Sequence, residues 1–365
     1  MKSNNSLRDF SSAQKRRHFL ENKLNIDLDK IRNIENLIGA TQIPLGVAGP
    51  LLVNGKNFFI PLATTEGALV ASISRGCKAV TAAGGANVYV ENVGITRGPV
   101  FKTTGLEESF KLKGWIEKNF KDLAKIAKNT SSHLKLLKAD MQAIGRNLFV
   151  RFYFDSADAM GMNMATIATE VMVREIEKKT KARCVSLAGN FDIDKKPAWL
   201  NFINGRGKKV WAEAILDKKV IRDVLKTTSE KIVEVVHTKN HLGSIMSGSL
   251  GFNAHFANII AAIFLATGQD PGHIVEGSLG VTTAEVTGQG DLYFSIYLPS
   301  LVVGIVGGGT KLPTQQEALK ILGVKKVVEF AKSLGAATLA GELSLIASLA
   351  EGSLAQTHKK LGRKK

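Results

Sequence analysis

Apolar and polar positions alternate with a period of two over residues 147–155. Leu148, Val150, Phe152 and Phe154 share one face, with Arg151 and Tyr153 on the other, and this predicts a strand. Val88, Val90 and Val93 alternate in the same way, and Val100 continues an extended segment after Pro99. Leu106, Phe110, Phe120, Leu123 and Ile126 then form a helical stripe, and a second strand is predicted over 133–142. A helix over 162–179 is expected to bury Met164, Ile167, Val171, Met172 and Val173, and a last strand covers 184–187. The order βαββαβ is the ferredoxin-like split pattern. It is predicted as a small unit, 98–187, inserted into a larger, mostly helical part, 31–97 and 188–365, after an N-terminal helical segment, 1–30. The fold class is therefore α+β.

In the flanking segments, Leu69, Val70, Ile73, Cys77 and Val80 predict a helix, with Thr65 as its cap and Gly84-Gly85 as its stop. That reading puts Glu66 in the first turn. Residues 244–268 read as one long buried helix, and 336–356 as the last helix, with His358 just beyond it.

The chain has 365 residues, enough for about two domains. No uninterrupted apolar run reaches the roughly 18 residues that span a bilayer, and the N-terminus lacks a signal-peptide apolar region. Cys77 and Cys184 are the only cysteines and lack metal-ligand spacing, so a reduced, cytoplasmic protein without a metal is expected. A net charge of +17 raises nucleic-acid binding as a possibility. The excess is mostly dispersed lysine with no recognition motif beside it, which fits a solvated basic surface that attracts phosphate-bearing ligands.

Asp158-Ala159-Met160-Gly161-Met162-Asn163 stands where a strand turns into a helix, and a second glycine cluster runs from Gly304 to Thr310. Each places backbone close to something such as a dinucleotide pyrophosphate. Together with Glu35-Asn36-Leu37-Ile38-Gly39 and Asp194-Lys195-Lys196-Pro197, and in this order, they resemble the 3-hydroxy-3-methylglutaryl-coenzyme A (HMG-CoA) reductase family. The resemblance runs from about Glu35 to His358 and is nearest the soluble, archaeal-type class I form.

The resemblance implies NADPH-dependent reduction of HMG-CoA to mevalonate and coenzyme A by a homodimer with shared active sites, with assembly into tetramers left open. It implies that the large part binds substrate and the inserted part the cofactor. Thioester reduction needs a cation or acid beside the carbonyl oxygen at each hydride delivery and a proton for the departing thiolate. By resemblance Lys195 is the oxyanion stabiliser, Glu66 the proton donor, Asp270 the carboxylate joining them, and His358 the acid for the thiolate. Asp194 and Lys196 contact the hydroxymethylglutaryl group, and Arg97 holds it by a charge-assisted contact. Glu35, Arg75, Lys239, His255 and Asn258 complete the substrate set. Asp158, Met160, Gly161, Met162, Asn163, Gly307 and Gly308 form the cofactor set. In the dimer, Lys195 is expected to face Glu66 and Asp270 of the neighbouring chain.

Among the site segments, the chain departs from the family pattern at two places. Ala188 replaces a serine, which removes one substrate hydrogen bond. The segment Thr130-Ser131-Ser132-His133 lacks the arginine that animal enzymes place near the cofactor 2′-phosphate, leaving Ser131, Lys135 or Lys138 to substitute. NADH therefore stands as the alternative cofactor. NAD-linked mevalonate oxidation on the same scaffold and a non-catalytic nucleic-acid-binding protein stand as the alternative functions.

Overall fold

A computed structural model of the chain describes residues 37–352, with Lys15 and Glu35 besides. The chain divides into two compact units, Met1–Pro44 and Leu45–Lys365, and the site described below lies in the second. That unit opens with a hairpin of β1 (Leu45–Val53) and β2 (Lys56–Ala63). Asn54 and Gly55 form its turn, both with positive φ, 47° and 81°, as a two-residue hairpin turn requires. The helix α1 follows, Leu69–Ala82.

The remaining strands among the described residues make one sheet in the order β7-β4-β6-β3-β8-β11-β10-β9, with β5 on the other edge of β6. These strands are β3 (Asn87–Arg97), β4 (Val100–Lys102), β5 (Lys135–Ile144), β6 (Asn147–Asp155), β7 (Arg183–Ser186), β8 (Gly207–Leu216), β9 (Gly251–Phe252), β10 (Gly280–Val286) and β11 (Leu292–Leu301). β3 belongs to two neighbourhoods. Its first part pairs with β8, and its last three residues pair with β6. Helices α2 (Leu106–Lys118), α3 (Phe120–Thr130) and α4 (Met162–Lys179) cover the part built from β4 to β7, around a core that includes Phe101, Leu123, Phe152 and Met172. A larger second core gathers α1, β8, β11, α6 (Phe256–Thr267) and α7 (Val327–Glu351). The short helix α5 (Trp199–Asn204) precedes β8.

α7 is apolar around most of its circumference, the mark of a helix inside a core rather than on its surface. At 25 residues it is long and apolar enough to cross a membrane, although no single run in the sequence shows this. In its most apolar window 83% of residues are buried inside the protein.

Several expectations are corrected. α1 begins at Leu69 with Ala68 at the cap position and no side-chain cap, so Thr65 does not cap it and Glu66 lies ahead of the first turn. The stripe over 106–126 breaks at Asn119 into α2 and α3. Residues 244–268 are not one helix. Gly248 is left-handed at φ 66°, β9 intervenes, and α6 starts afresh after His255. α7 starts at Val327 rather than 336. In α4 the buried residues are Ala165, Ala168, Thr169, Met172, Val173 and Ile176, while Ile167 and Val171 are exposed. The flanking part also holds far more sheet than its apolar pattern predicts. In β8, Val210, Ala212, Ala214 and Leu216 point inward and alternate with Trp211, Glu213 and Ile215.

Candidate active site

Lys195 lies on the loop between β7 and α5, and its Nζ donates to Asp270 Oδ2 at 2.7 Å. Asp270 follows α6 and Gly268-Gln269. Its other oxygen accepts from the Gly272 N–H at 2.9 Å, so the carboxylate caps the turn Pro271–His273. Burial pushes the Asp270 carboxyl up, but the Lys195 hydrogen bond, the Gly272 N–H and the nearby His273 outweigh it and hold it below its ordinary value. Both partners are over a third exposed, so the pair stabilises the fold by about 1 kcal/mol at most. What it fixes is the position of one ammonium. This Asp270 belongs to the same chain, against the expectation that Lys195 faces the neighbour's Asp270.

Behind the pair lies a buried polar hub. Arg206 is fully buried; its Nη1 donates to Glu276 Oε1 at 2.6 Å and its Nη2 lies 3.0 Å from Asp194 Oδ1. His273 Nδ1 is 2.9 Å from the same Glu276 oxygen. Asp194, His273 and Glu276 bring potential ligand atoms within 4.8 Å of one another. The guanidinium of Arg206 already supplies the cation among them, and a metal ion would have to displace it. Arg97 Nη1 lies 3.3 Å from Asp192 Oδ2 and 3.9 Å from Asp194 Oδ2. Lys196 is exposed, and its Nζ donates to the Asp194 carbonyl at 3.2 Å.

Glu66 belongs to a different place. With Arg75, His255 and Asn258 it lines a pocket of about 460 Å³, and no residue of the Lys195 cluster is among that pocket's lining. Asn258 Nδ2 donates to Glu66 Oε2 at 3.0 Å, and the Glu66 N–H donates to Thr64 Oγ1 at 3.0 Å. Arg75 donates to the Ser344 carbonyl and to both the Ser344 and Ser348 hydroxyls, which ties its guanidinium to α7 at the pocket wall. His255 Nε2 lies 2.9 Å from the Gly341 carbonyl oxygen. The backbone N–H groups of Ala254 and His255 both donate to the buried carboxylate of Glu342.

The two glycine segments meet. Ile305 N–H donates to the Asp158 carbonyl at 2.9 Å, and Ala159 bridges to Val306. A Cβ at Gly304 would stand 2.3 Å from the Met160 nitrogen, so only glycine allows this approach. Gly161 is left-handed at φ 93° just before α4. The cluster also abuts the Lys195 region. Gln269 Oε1 accepts from Gly304 N–H at 2.9 Å, and Arg206 Nη2 lies 3.0 Å from the Met162 sulfur. Ser131 Oγ lies 3.5 Å from the sulfur of Met164, in the first turn of α4. The Asp158 carboxylate accepts from Val327 N–H at 2.8 Å and lies 3.3 Å from Lys326 Nζ, so it anchors the start of α7. Met160 and Met162 pack against the core under the sheet, Asn163 is exposed, and Gly307 and Gly308 have positive φ with open space where a Cβ would be.

Lys239 is exposed in a π-helical stretch, Val236–Gly243, and Glu35 is exposed in the first unit. His358 lies outside the described residues. Sequence reasoning missed Arg206, Glu276 and Glu342 as site components. His273 and Glu276 at i and i+3 carried a readable signal, since that spacing puts both on one helical face.

Residues 4–363 match the family model for hydroxymethylglutaryl-coenzyme A reductase. The enzyme of that name from Methanocaldococcus jannaschii is 50% identical, over 95% of this chain and 92% of its own. The one from Methanothermobacter thermautotrophicus is 49% identical over the same shares. Among solved structures, the class II enzyme from Streptococcus pneumoniae, described as bound to NADPH in open conformations, superposes with a TM-score of 0.72. It covers 95% of this chain and all of its own at 18% identity, a likeness of fold. With the motifs brought together in this mixed α/β fold and half the residues shared with archaeal relatives along nearly the full length, the chain belongs to the hydroxymethylglutaryl-coenzyme A reductase family.

Proposed function

We propose that the protein reduces 3-hydroxy-3-methylglutaryl-CoA to mevalonate and coenzyme A with NADPH, as a cytoplasmic class I enzyme of the archaeal type. The observation that carries this reading is the Lys195–Asp270 pair, set beside the two facing glycine segments. Lys195 offers its ammonium to the carbonyl oxygen, where negative charge develops at each hydride delivery. Asp270 holds that ammonium in place. Glu66 supplies the proton to the reduced oxygen, and His358 protonates the departing thiolate. Lys196, Arg97 and Asp194 bind the hydroxymethylglutaryl group, and Arg75, His255, Asn258 and Lys239 line the substrate's path. The archaeal relatives, at about 50% identity against 18% for the class II structure, support the class I placement.

NADPH supplies the hydride. Residues suited to it are the N-terminus of α4 behind Gly161, with Gly307 and Gly308 where open space replaces side chains. In this reading residues 98–187 form the ferredoxin-like cofactor domain, with the strand order β7-β4-β6-β5 in support, and 31–97 with 188–365 form the substrate domain. Lys138 stacks its ammonium 4.2 Å over the Tyr153 ring and lies 3.7 Å from Asp140. Lys135 is exposed near Ser131 in sequence and is the better partner for a 2′-phosphate.

The protein acts as a homodimer in which the Glu66 pocket of one copy completes the Lys195–Asp270 cluster of the other. The separation of these two groups within one chain supports this division. The test is loss of NADPH absorbance, then NADH absorbance, on adding HMG-CoA, with Lys195→Ala beside it. About two cofactors oxidised per thioester, abolished in the variant, supports the reaction. No oxidation with either cofactor rejects it in this direction, and mevalonate with NAD and coenzyme A then tests the reverse.

A further inference from the structure

Four consecutive residues ending at Lys195 are each held by a different side chain from elsewhere in the fold. The Asp192 carbonyl accepts from Thr96 Oγ1 at 2.7 Å, and the Ile193 carbonyl accepts from Asn201 Nδ2 at 3.1 Å. The Asp194 carboxylate faces Arg206 at 3.0 Å, and the Lys195 N–H donates to Glu276 Oε1 at 3.2 Å. Thr96, Asn201, Arg206 and Glu276 are all fully buried. They are themselves held from behind. Arg206 Nε donates to Thr96 Oγ1 at 2.8 Å, and the buried Arg151 donates to Asn201 Oδ1 at 2.8 Å and to the Gly205 carbonyl at 3.0 Å.

Such a grip answers a backbone need. Ile193 and Lys195 sit at φ 52° and 56°, a left-handed conformation costly for side chains other than glycine and most unusual for a β-branched one. A loop left to itself would relax out of it and carry the Lys195 ammonium away from Asp270. We infer that Thr96, Asn201 and Glu276 are positioning residues for Lys195, holding the strained 192–195 backbone so that one ammonium orientation prevails. The inference rests on Lys195 being the oxyanion stabiliser of the proposed reaction, but the geometry itself can be tested without turnover.

Asn201→Asp is nearly isosteric and keeps an oxygen for Arg151, while replacing the donor to the Ile193 carbonyl with an acceptor. Thr96→Val removes the hydroxyl at constant volume, and Thr96→Ser restores it. Two readouts apply to each variant. The first is kcat and KM for HMG-CoA and NADPH. The second is the rate at which an amine-acylating reagent labels Lys195 relative to Lys196, read by peptide mass spectrometry. In the wild type Lys195, tied to Asp270, is expected to label more slowly than Lys196. Asn201→Asp and Thr96→Val are expected to bring the two rates together and to lower kcat about 30-fold, with KM for NADPH within about two-fold, the scale of misplacing one oxyanion partner. Thr96→Ser is expected to restore both readouts.

An unchanged labelling ratio in Asn201→Asp and Thr96→Val overturns the inference, whatever kcat does, because any loss would then not run through the lysine's position. Merged labelling rates with wild-type kcat overturn it as well. A wild-type chain with no reductase activity counts against the proposed reaction, and the labelling ratio still decides the positioning.

Discussion

Removing the buried carboxylate of Glu342 is expected to cost about as much stability as truncating a large core side chain. Glu342 is fully buried on α7 and accepts from Asn240 Nδ2 at 3.2 Å, Ala254 N–H at 2.6 Å, His255 N–H at 3.0 Å and Thr282 Oγ1 at 2.8 Å. In Glu342→Ala the Asn240 and Thr282 side chains can turn to other partners, whereas the two backbone N–H groups cannot. Each fixed donor left unsatisfied costs about 1–3 kcal/mol, and the cavity adds to the loss, giving roughly 4 kcal/mol in total. Glu342→Gln keeps an oxygen at the position that serves three of the donors and turns an NH2 towards the His255 N–H. Its cost is therefore that of about one donor, near 2 kcal/mol. Urea unfolding with an unchanged m-value measures both. A loss below about 1 kcal/mol for the alanine variant, or equal losses for both, would refute the claim that the pinned N–H groups set the cost.

Four further outcomes are expected. Gly76→Ala places a Cβ 1.8 Å from the Ala340 carbonyl oxygen and should destabilise by about 3 kcal/mol, whereas Gly114→Ala, on the exposed side of α2 with nothing near, should stabilise by about 0.5–1 kcal/mol; thermal melts compare them. Mixing Glu66→Gln with Lys195→Ala chains should recover about a quarter of wild-type activity, since half of randomly formed dimers are mixed and each holds one intact site. Lys195→Ala mixed with Asp270→Ala should recover none, because both changes fall in one cluster, and substantial recovery there would disprove the division. Because the folded Asp270 carboxyl lies below its unfolded value, its contribution is present above about pH 3.9 and disappears as pH falls through the folded value. The melting difference between wild type and Asp270→Asn should therefore shrink in acid. Burial pushes the Cys77 thiol up to about 12, so it should resist alkylation until the chain unfolds, while the half-buried Cys184 should react earlier.

Where local pattern sufficed, the sequence was legible. β6 and α4 fall at 147–155 and 162–179 as predicted, because strict alternation and a left-handed Gly161 mark their ends. The buried face of α4 was misread because the sheet receives it through Ala165 and Ala168, while the bulkier Ile167 and Val171 stand outside. The alternation in β6 does not show that both its faces are covered: Arg151 and Tyr153 are as buried as Phe152. Motif residues such as Lys195 and Asp270 were identified one by one. The hub behind them was not, since Thr96, Asn201 and Arg206 are joined only by tertiary packing, and the i, i+3 spacing of His273 and Glu276 is its one local trace.

The order of the chain has a consequence for synthesis. α7 packs against α1, β3, β8, α6 and β11, and it follows all of them in the chain, so it is made after them. Until it emerges, the nascent chain holds Ile73, Val80, Val210 and Phe264 with no lid over them, and the Ala254 and His255 N–H groups wait for Glu342. The β4–β7 part closes its own core well before that. Chains truncated ahead of Val327 should therefore keep that part folded while the rest stays open to chaperones and proteases, so α7 acts as the keystone of assembly.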